Sequence, residues 1–171
     1  NDMHAFSEAD LIWGRRRIEP HQLIGPRPRG ANNVMRLDGH LLPGQKVPGK
    51  GMRFKDLATR DKETIHGWFE TGDSNIGIYT GRFGDDQALV VVDVDVKKGK
   101  DGRDTLLQLE LDGYDLPETR QQQTPSGGHH LIFVHHEPLR QGVDVLGPGL
   151  DVRSKGGYVV ACGSTVPAGP Y

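Results

Sequence analysis

Residues 88–96 read Ala88-Leu-Val-Val-Val-Asp93-Val-Asp95-Val96, and the fold is decided there. A β-branched run with acids two apart predicts a strand. Side chains alternate across a strand, so Asp93 and Asp95 share one face while Val92, Val94 and Val96 point into the core on the other. Two neighbouring carboxylates repel each other unless a cation sits between them or one is protonated. Mg²⁺ takes one or two carboxylates plus substrate phosphates, and paired ions clamp both oxygens of an in-line phosphoryl displacement. Taken alone, the triplet fits a metal site and equally a half-buried edge strand with two solvated acids.

Outward from this strand, Asn75-Ile-Gly-Ile78-Tyr79 predicts a second one. Asp61 to Glu70 places Ile65, Trp68 and Phe69 at helical spacing. Nearer the start, Ser7-Glu-Ala-Asp10 resembles a capping box and predicts a short helix leading through Leu11 and Ile12 into Arg15, Arg16 and Arg17. From Pro20 to Gly51, frequent Pro and Gly predict an extended, loop-dominated arm. Downstream, Asp104 caps a helix carrying Leu106, Leu107, Leu109 and Leu111 that ends around Gly113. Strands are expected at 119–124, 130–135, 143–146 and 157–162. The order gives an α+β fold with a mostly antiparallel sheet and packed helices.

The chain has 171 residues, 35% hydrophobic and 26% charged, which suits one soluble domain closing a single core. No apolar run approaches the roughly 18 residues of a membrane span, and no charged-then-apolar leader opens the chain. Neither a membrane nor a secreted protein is expected. One cysteine, Cys162, excludes an internal disulfide and any multi-cysteine zinc site, and points to a reducing compartment, the cytoplasm. The net charge of -2 conceals an asymmetry, for residues 1–60 hold 11 Lys+Arg against 6 Asp+Glu and the remainder 10 against 17. A basic flank beside an acidic remainder suits a polyanion next to a carboxylate site, though solvated charge gives the same numbers.

Two further segments carry chemistry. In Thr124-Pro-Ser126-Gly127-Gly128-His129-His130, a Gly-Gly turn lets backbone N–H groups approach an anion, and a histidine after it can donate to a phosphate oxygen. Alternation sends His129 and His130 to opposite faces, so one at most faces a site. A plain hairpin with surface histidines fits as well. In Leu150-Asp151-Val-Arg153-Ser-Lys155-Gly-Gly157, Asp151 and Arg153 share a face beside a turn. They suit one more metal contact and two triphosphate contacts, or a surface ion pair.

Taken in order, these segments resemble the bifunctional primase-polymerase family of the archaeo-eukaryotic primase superfamily. The resemblance is carried by Gly44-Gln-Lys46-Val-Pro48, Phe54-Lys55-Asp56-Leu57-Ala58-Thr59, Trp68-Phe69, Asn75 to Gly81, Val91-Val92-Asp93-Val94-Asp95, Ser126-Gly127-Gly128-His129-His130 and Leu150 to Val160. It implies an RRM-like catalytic core over residues 44–171, with 1–43 a basic segment the family pattern does not cover. It implies template-directed nucleotidyl transfer in replication of a phage, plasmid or other mobile element. Asp93, Asp95 and Asp151 would hold Mg²⁺ or Mn²⁺. His130 would contact the incoming triphosphate. Charge and turn geometry, apart from the resemblance, add Arg153, Lys155, Ser126, Gly127 and Gly128 for the nucleotide, and the concentrated positive charge adds Arg15, Arg16, Arg17 and Lys46 for the template. Partners would be single-stranded DNA, a primer, nucleoside triphosphates and a helicase domain beyond Tyr171.

Departures from the pattern are Gly128, where the family often has Ser, and Ala161-Cys162-Gly163-Ser164, where it often has Ala-Pro-Pro-Ser. A lone cysteine also excludes the zinc element that helps some relatives initiate primers, which favours polymerase activity over de novo priming. Three rivals are a rolling-circle endonuclease, a metal-dependent phosphodiesterase and a non-catalytic nucleic-acid-binding module. The first needs a His-hydrophobe-His pair and a Tyr-x-x-x-Lys nucleophile pattern that this chain lacks.

If the basic arm holds template, each arginine on a phosphate of single-stranded DNA releases about 0.7 counterion. Alanine at Arg15, Arg16 and Arg17 together is then expected to flatten the log-affinity against log-salt slope by up to about 2 in DNA titrations. An unchanged slope would leave the arm without a template role.

Overall fold

Ala88 to Val92 are five consecutive buried side chains, so their strand is covered on both faces. The structure, a computed structural model, describes residues 12–13, 16–17, 38–70, 74–82, 87–97, 99–136 and 138–171. In chain order its elements are β1 (Ile12–Trp13), β2 (Arg16–Arg17), β3 (Asp38–Leu41), α1 (Phe54–Leu57), α2 (Lys62–Phe69), β4 (Asn75–Tyr79), β5 (Gly81–Arg82) and β6 (Ala88–Val94). There follow β7 (Val96–Lys97), β8 (Lys100–Asp101), α3 (Gly102–Leu111), β9 (Arg120–Gln123), β10 (His129–His135), β11 (Leu150–Arg153), β12 (Tyr158–Val160), β13 (Thr165–Val166) and β14 (Gly169–Pro170). The fold is α+β, with antiparallel sheets and few helices among the described residues.

The main sheet runs β11-β6-β10-β9, with β5 paired to the start of β6. A second sheet runs β12-β4-β3. On one face of β6, Val90, Val92 and Val94 pack with Leu131, Phe133, Leu150 and Val152 under Leu106 and Leu109 of α3. On the other, Leu89 and Val91 pack with Ile78, Val159 and Ala161 of the second sheet. Alternation alone assigns only the first face to the core. The second sheet buries the opposite face as far as Val91, so the acids begin where its cover ends.

β6 stops at Val94, and Val96 is half-buried in β7 rather than in the same strand. The Asp95 backbone is clamped there, its N–H donating to the Gly149 carbonyl at 2.8 Å and its carbonyl accepting from the Gly102 N–H at 2.8 Å. A Cβ on Gly102 would lie 2.3 Å from the Gly149 oxygen, so only glycine starts α3 this close to β11. Hence the helix is capped by Asp101, which accepts from the Arg103 N–H, and the expected cap Asp104 falls inside the first turn. Leu107 and Leu111 point outward.

A notch in the second sheet holds the first helix. Gly39 and Gly77 are directly opposed across β3 and β4, and a Cβ on either would lie within 2.7 Å of the Phe54 ring. Phe54 fills that space, 4% exposed, and stacks on Tyr158 with centroids 4.3 Å apart. α2 is capped by Asp61, and its Trp68 stacks on His40.

Three expectations are corrected. Residues 143–146 form a turn, not a strand. Asp144 has φ 53 there, with its N–H on Asp151 and its carboxylate accepting from Gly149, so local side-chain bonds outcompete a ladder. The arm from Pro20 to Gly51 contains β3, whose Leu41 is wholly buried. Ile12 and Trp13 pair antiparallel with Arg17 and Arg16, so no helix runs through to Arg17. Gly14 costs a helix about 1 kcal/mol, and Ile and Trp favour strands. Ser7 to Asp10, Arg15, residues 20–37 and the Phe69 side chain lie outside what is described.

Two glycine substitutions are expected to have opposite signs in urea denaturation. Gly102→Ala drives a methyl into the Gly149 carbonyl and loses about 1–3 kcal/mol. Gly67→Ala meets nothing within 4 Å on exposed α2 and gains about 0.5–1 kcal/mol.

Candidate active site

The register of the main sheet lines up four polar side chains. Asp93 pairs with Asp151 on one side and His130 on the other, and His130 pairs in turn with Gln122. Opposed residues share a face, so Asp151, Asp93, His130 and Gln122 form a row across four strands. Asp95 and Arg153 follow two residues on, on the same face. His129 goes to the other face, as alternation requires.

This face floors an open cavity of about 880 Å³, a size that suits a small-molecule ligand. Asp93, Asp95 and His130 line it, and so do six cations, Lys46, Arg53, Lys55, Lys97, Arg153 and Lys155. Six cations against two lining carboxylates give the cavity an excess of positive charge, which suits an anionic ligand.

Neutral hydrogen bonds anchor the basic walls. The Asn75 amide donates to the Gln45 and Thr165 carbonyls and accepts from the Thr165 N–H, and the Tyr158 hydroxyl donates to the Lys46 carbonyl at 2.9 Å. Lys46 Nζ lies 5.3 Å above the Tyr171 ring. Phe54 in its notch holds the neighbouring Arg53 and Lys55. Across the cavity, the buried Thr80 hydroxyl donates to the Ser154 carbonyl, and the Thr80 N–H donates to the Gly157 carbonyl. That fixes the turn carrying Lys155. Ser126 lines the cavity and hydrogen-bonds Thr124, while Gly127 has φ 83 in the turn. A Cβ on Gly128 would lie 2.0 Å from the Val94 carbonyl oxygen, which is why no serine stands there.

The charges on the floor are unequally matched. Arg153 is 2.8 Å from Asp151 but 3.9 Å from Asp93, so the guanidinium is committed to Asp151, whose other oxygen accepts from the Asp144 N–H. Burial, then the charge of Asp95, pushes Asp93 up to about 6, with Arg153 opposing only in part. Burial and the charges of Lys46 and Arg153 push His130 down to about 4. Although its Nε2 is 3.6 Å from Asp93 Oδ1, the contact at neutral pH joins a neutral imidazole to a carboxylate and is no ion pair. Asp95 pairs with Lys97 at 2.6 Å, an exposed contact of the kind worth at most about 1 kcal/mol.

Among the described residues no three His, Cys, Asp or Glu side chains are already gathered as a metal cage. The donor chemistry nonetheless fits a hard divalent cation, since Asp93 and Asp95 offer oxygens whose mutual repulsion raises Asp93. Asp151 lies next to them with both oxygens engaged.

Of the expected template contacts, Lys46 is in the cavity wall, the side chains of Arg16 and Arg17 are not described, and Arg15 lies outside the described residues. Sequence reasoning missed Gln122, Gln141, Lys97, Tyr158 and Tyr171 as site residues, and gave Arg53 and Lys55 no role. Lys55 and Tyr158 carried a signal, through their places in the Phe54-Lys55-Asp56 stretch and the Leu150 to Val160 stretch.

A family model described as bifunctional DNA primase/polymerase, N-terminal, matches residues 30–171. No curated protein and no solved structure matches the chain.

A carboxyl raised from 3.8 to about 6 favours the fold in its protonated form, and that contribution is lost as pH rises through this window. Asp93→Asn is therefore expected to raise the stability of metal-free protein at neutral pH by about 1–3 kcal/mol, a Tm gain of about 2–12 °C. The gain should vanish below about pH 4, where wild type is protonated too. Thermal melts across this range check it, and a less stable variant at neutral pH would mean Arg153 already neutralises Asp93.

Proposed function

The chain belongs to the bifunctional DNA primase/polymerase family, and on that premise we propose that its cavity extends a primer on single-stranded DNA from nucleoside triphosphates. Membership implies primase or polymerase activity in replication. The setting we propose is the replication of a phage, plasmid or other mobile element.

One observation carries the chemistry, namely that Asp93 and Asp95, next to Asp151 in the sheet, share one cavity with six cations. In the proposed step the primer 3′-hydroxyl gives up its proton to water, its oxygen bonds to the α-phosphorus, the bond from that phosphorus to the bridging oxygen breaks, and pyrophosphate leaves. Mg²⁺ or Mn²⁺ held by Asp93 and Asp95, with Asp151 adjoining, would neutralise charge on the attacking and leaving oxygens. Arg153 and Lys155 would hold the triphosphate, with Ser126 and the Gly127-Gly128 turn beside it. His130 would donate to a phosphate oxygen. Lys46, Arg53 and Lys55 also line the cavity, and the template strand or primer backbone would run along them.

Primer extension and unprimed synthesis on single-stranded DNA, with Mg²⁺ and Mn²⁺ compared, test the assignment. Asp93→Asn and Asp95→Asn are each expected to cut extension by more than about 100-fold while the fold survives. His130→Ala should weaken nucleotide use by about 10- to 100-fold, and His129→Ala by less than about threefold. Wild-type rates in either Asn variant, or untemplated phosphodiester hydrolysis in place of synthesis, would overturn it.

A further inference from the structure

Gln121, Gln122 and Gln123 run along β9 at the edge of the main sheet, and only Gln122 is turned to the acidic row. Its amide is fixed by two backbone groups. Oε1 accepts from the Cys162 N–H at 2.7 Å, and Nε2 donates to the Val160 carbonyl at 2.8 Å. Turning the amide over would set oxygen against oxygen at Val160 and N–H against N–H at Cys162. The second Nε2 hydrogen therefore has one place to go, His130 Nδ1 at 3.3 Å. A ring nitrogen that meets an N–H donor must accept, so in a neutral imidazole the proton sits on Nε2. Nε2 is the atom beside Asp93, which lines the cavity.

We infer that Gln122 is a positioning residue that holds His130 as the Nε2–H tautomer, so that the imidazole presents a hydrogen-bond donor, and no base, to an anionic oxygen in the cavity. Identifying that oxygen as a triphosphate oxygen rests on the function proposed above, whereas the tautomer does not. In this form Nε2 has no lone pair to take the primer hydroxyl proton, so His130 orients phosphate and a different acceptor receives the proton. The departure at Cys162 now has a consequence. Proline, frequent at that place in the family pattern, has no N–H to hold Oε1, so the clamp depends on this chain's own residue.

Heteronuclear NMR of the histidine nitrogens reads the tautomer directly in metal-free, nucleotide-free protein at neutral pH. His130 is expected with Nε2 protonated and Nδ1 bare. In Gln122→Met, which puts no N–H donor beside Nδ1, the Nε2–H preference should be lost and the Nδ1–H form should appear. The apparent KM for the incoming nucleotide should then rise about tenfold, with kcat changed less than about threefold. An Nδ1–H tautomer in wild type, or an unchanged tautomer in Gln122→Met, overturns the inference, and if the variant does not fold the wild-type spectrum alone decides. The expected tautomer in a protein that makes no DNA would uphold this role and sink the polymerase assignment. Synthesis with the Nδ1–H form would do the reverse.

Discussion

The register of β6 between β10 and β11 is the constraint on which the rest depends. A slip of one residue would exchange the two faces of the strand, sending Asp93 under α3 and Val92 into the cavity. What prevents the slip is burial on both faces, with Val90, Val92 and Val94 against Phe133 and Leu150 on one side and Val91 against Val159 on the other. Each buried side chain of this kind contributes about 1.5–3 kcal/mol, so a slip would forfeit several such terms together. The strain of a buried Asp93 beside Asp95 is smaller than that sum, and the fold can carry it.

Opposite charges in the cavity come from different structural layers. Asp93 and Asp151 stand on the main sheet, while Lys46, Arg53 and Lys155 stand on loops, and Lys55 on α1, held to the second sheet by Asn75, Thr80, Tyr158 and Phe54. Because neutral groups hold those loops by their backbone, the wall keeps its shape without enlisting the lysine ammonium groups as structural ties. Three of the cavity cations are already paired with a carboxylate, Arg153 with Asp151, Lys97 with Asp95 and Arg53 with Asp56.

What was legible in the sequence was mostly what is local. The β-branched run before Asp93, the spacing of the two acids, the helix after Asp61 and the opposite fates of His129 and His130 all follow from periods of two or 3.6 residues. The order of the motifs was enough to point to the family, whose match begins at residue 30, ahead of Gly44 where the visible resemblance starts. The rest depended on pairing between distant segments. Nothing distinguishes Gln122 from its neighbours until β9 is laid against β10. Asp101 outranks Asp104 as a cap only because Gly102 must touch Gly149. Residues 143–146 look like a strand until Asp144 finds Asp151.

The glycine notch under Phe54 has a bearing on how such sequences can drift. Gly39, Gly77 and Phe54 occupy one shared volume, because any side chain on either glycine would stand where the ring stands. The three positions are thus a single variable spread over three sites. A chain that acquires a methyl at 39 or 77 must give up its aromatic at 54, and with it the stacking partner of Tyr158 and the seat of Arg53 and Lys55. Among homologous sequences, the loss of either glycine should therefore travel with a smaller residue at 54 and a rearranged set of cations beside it.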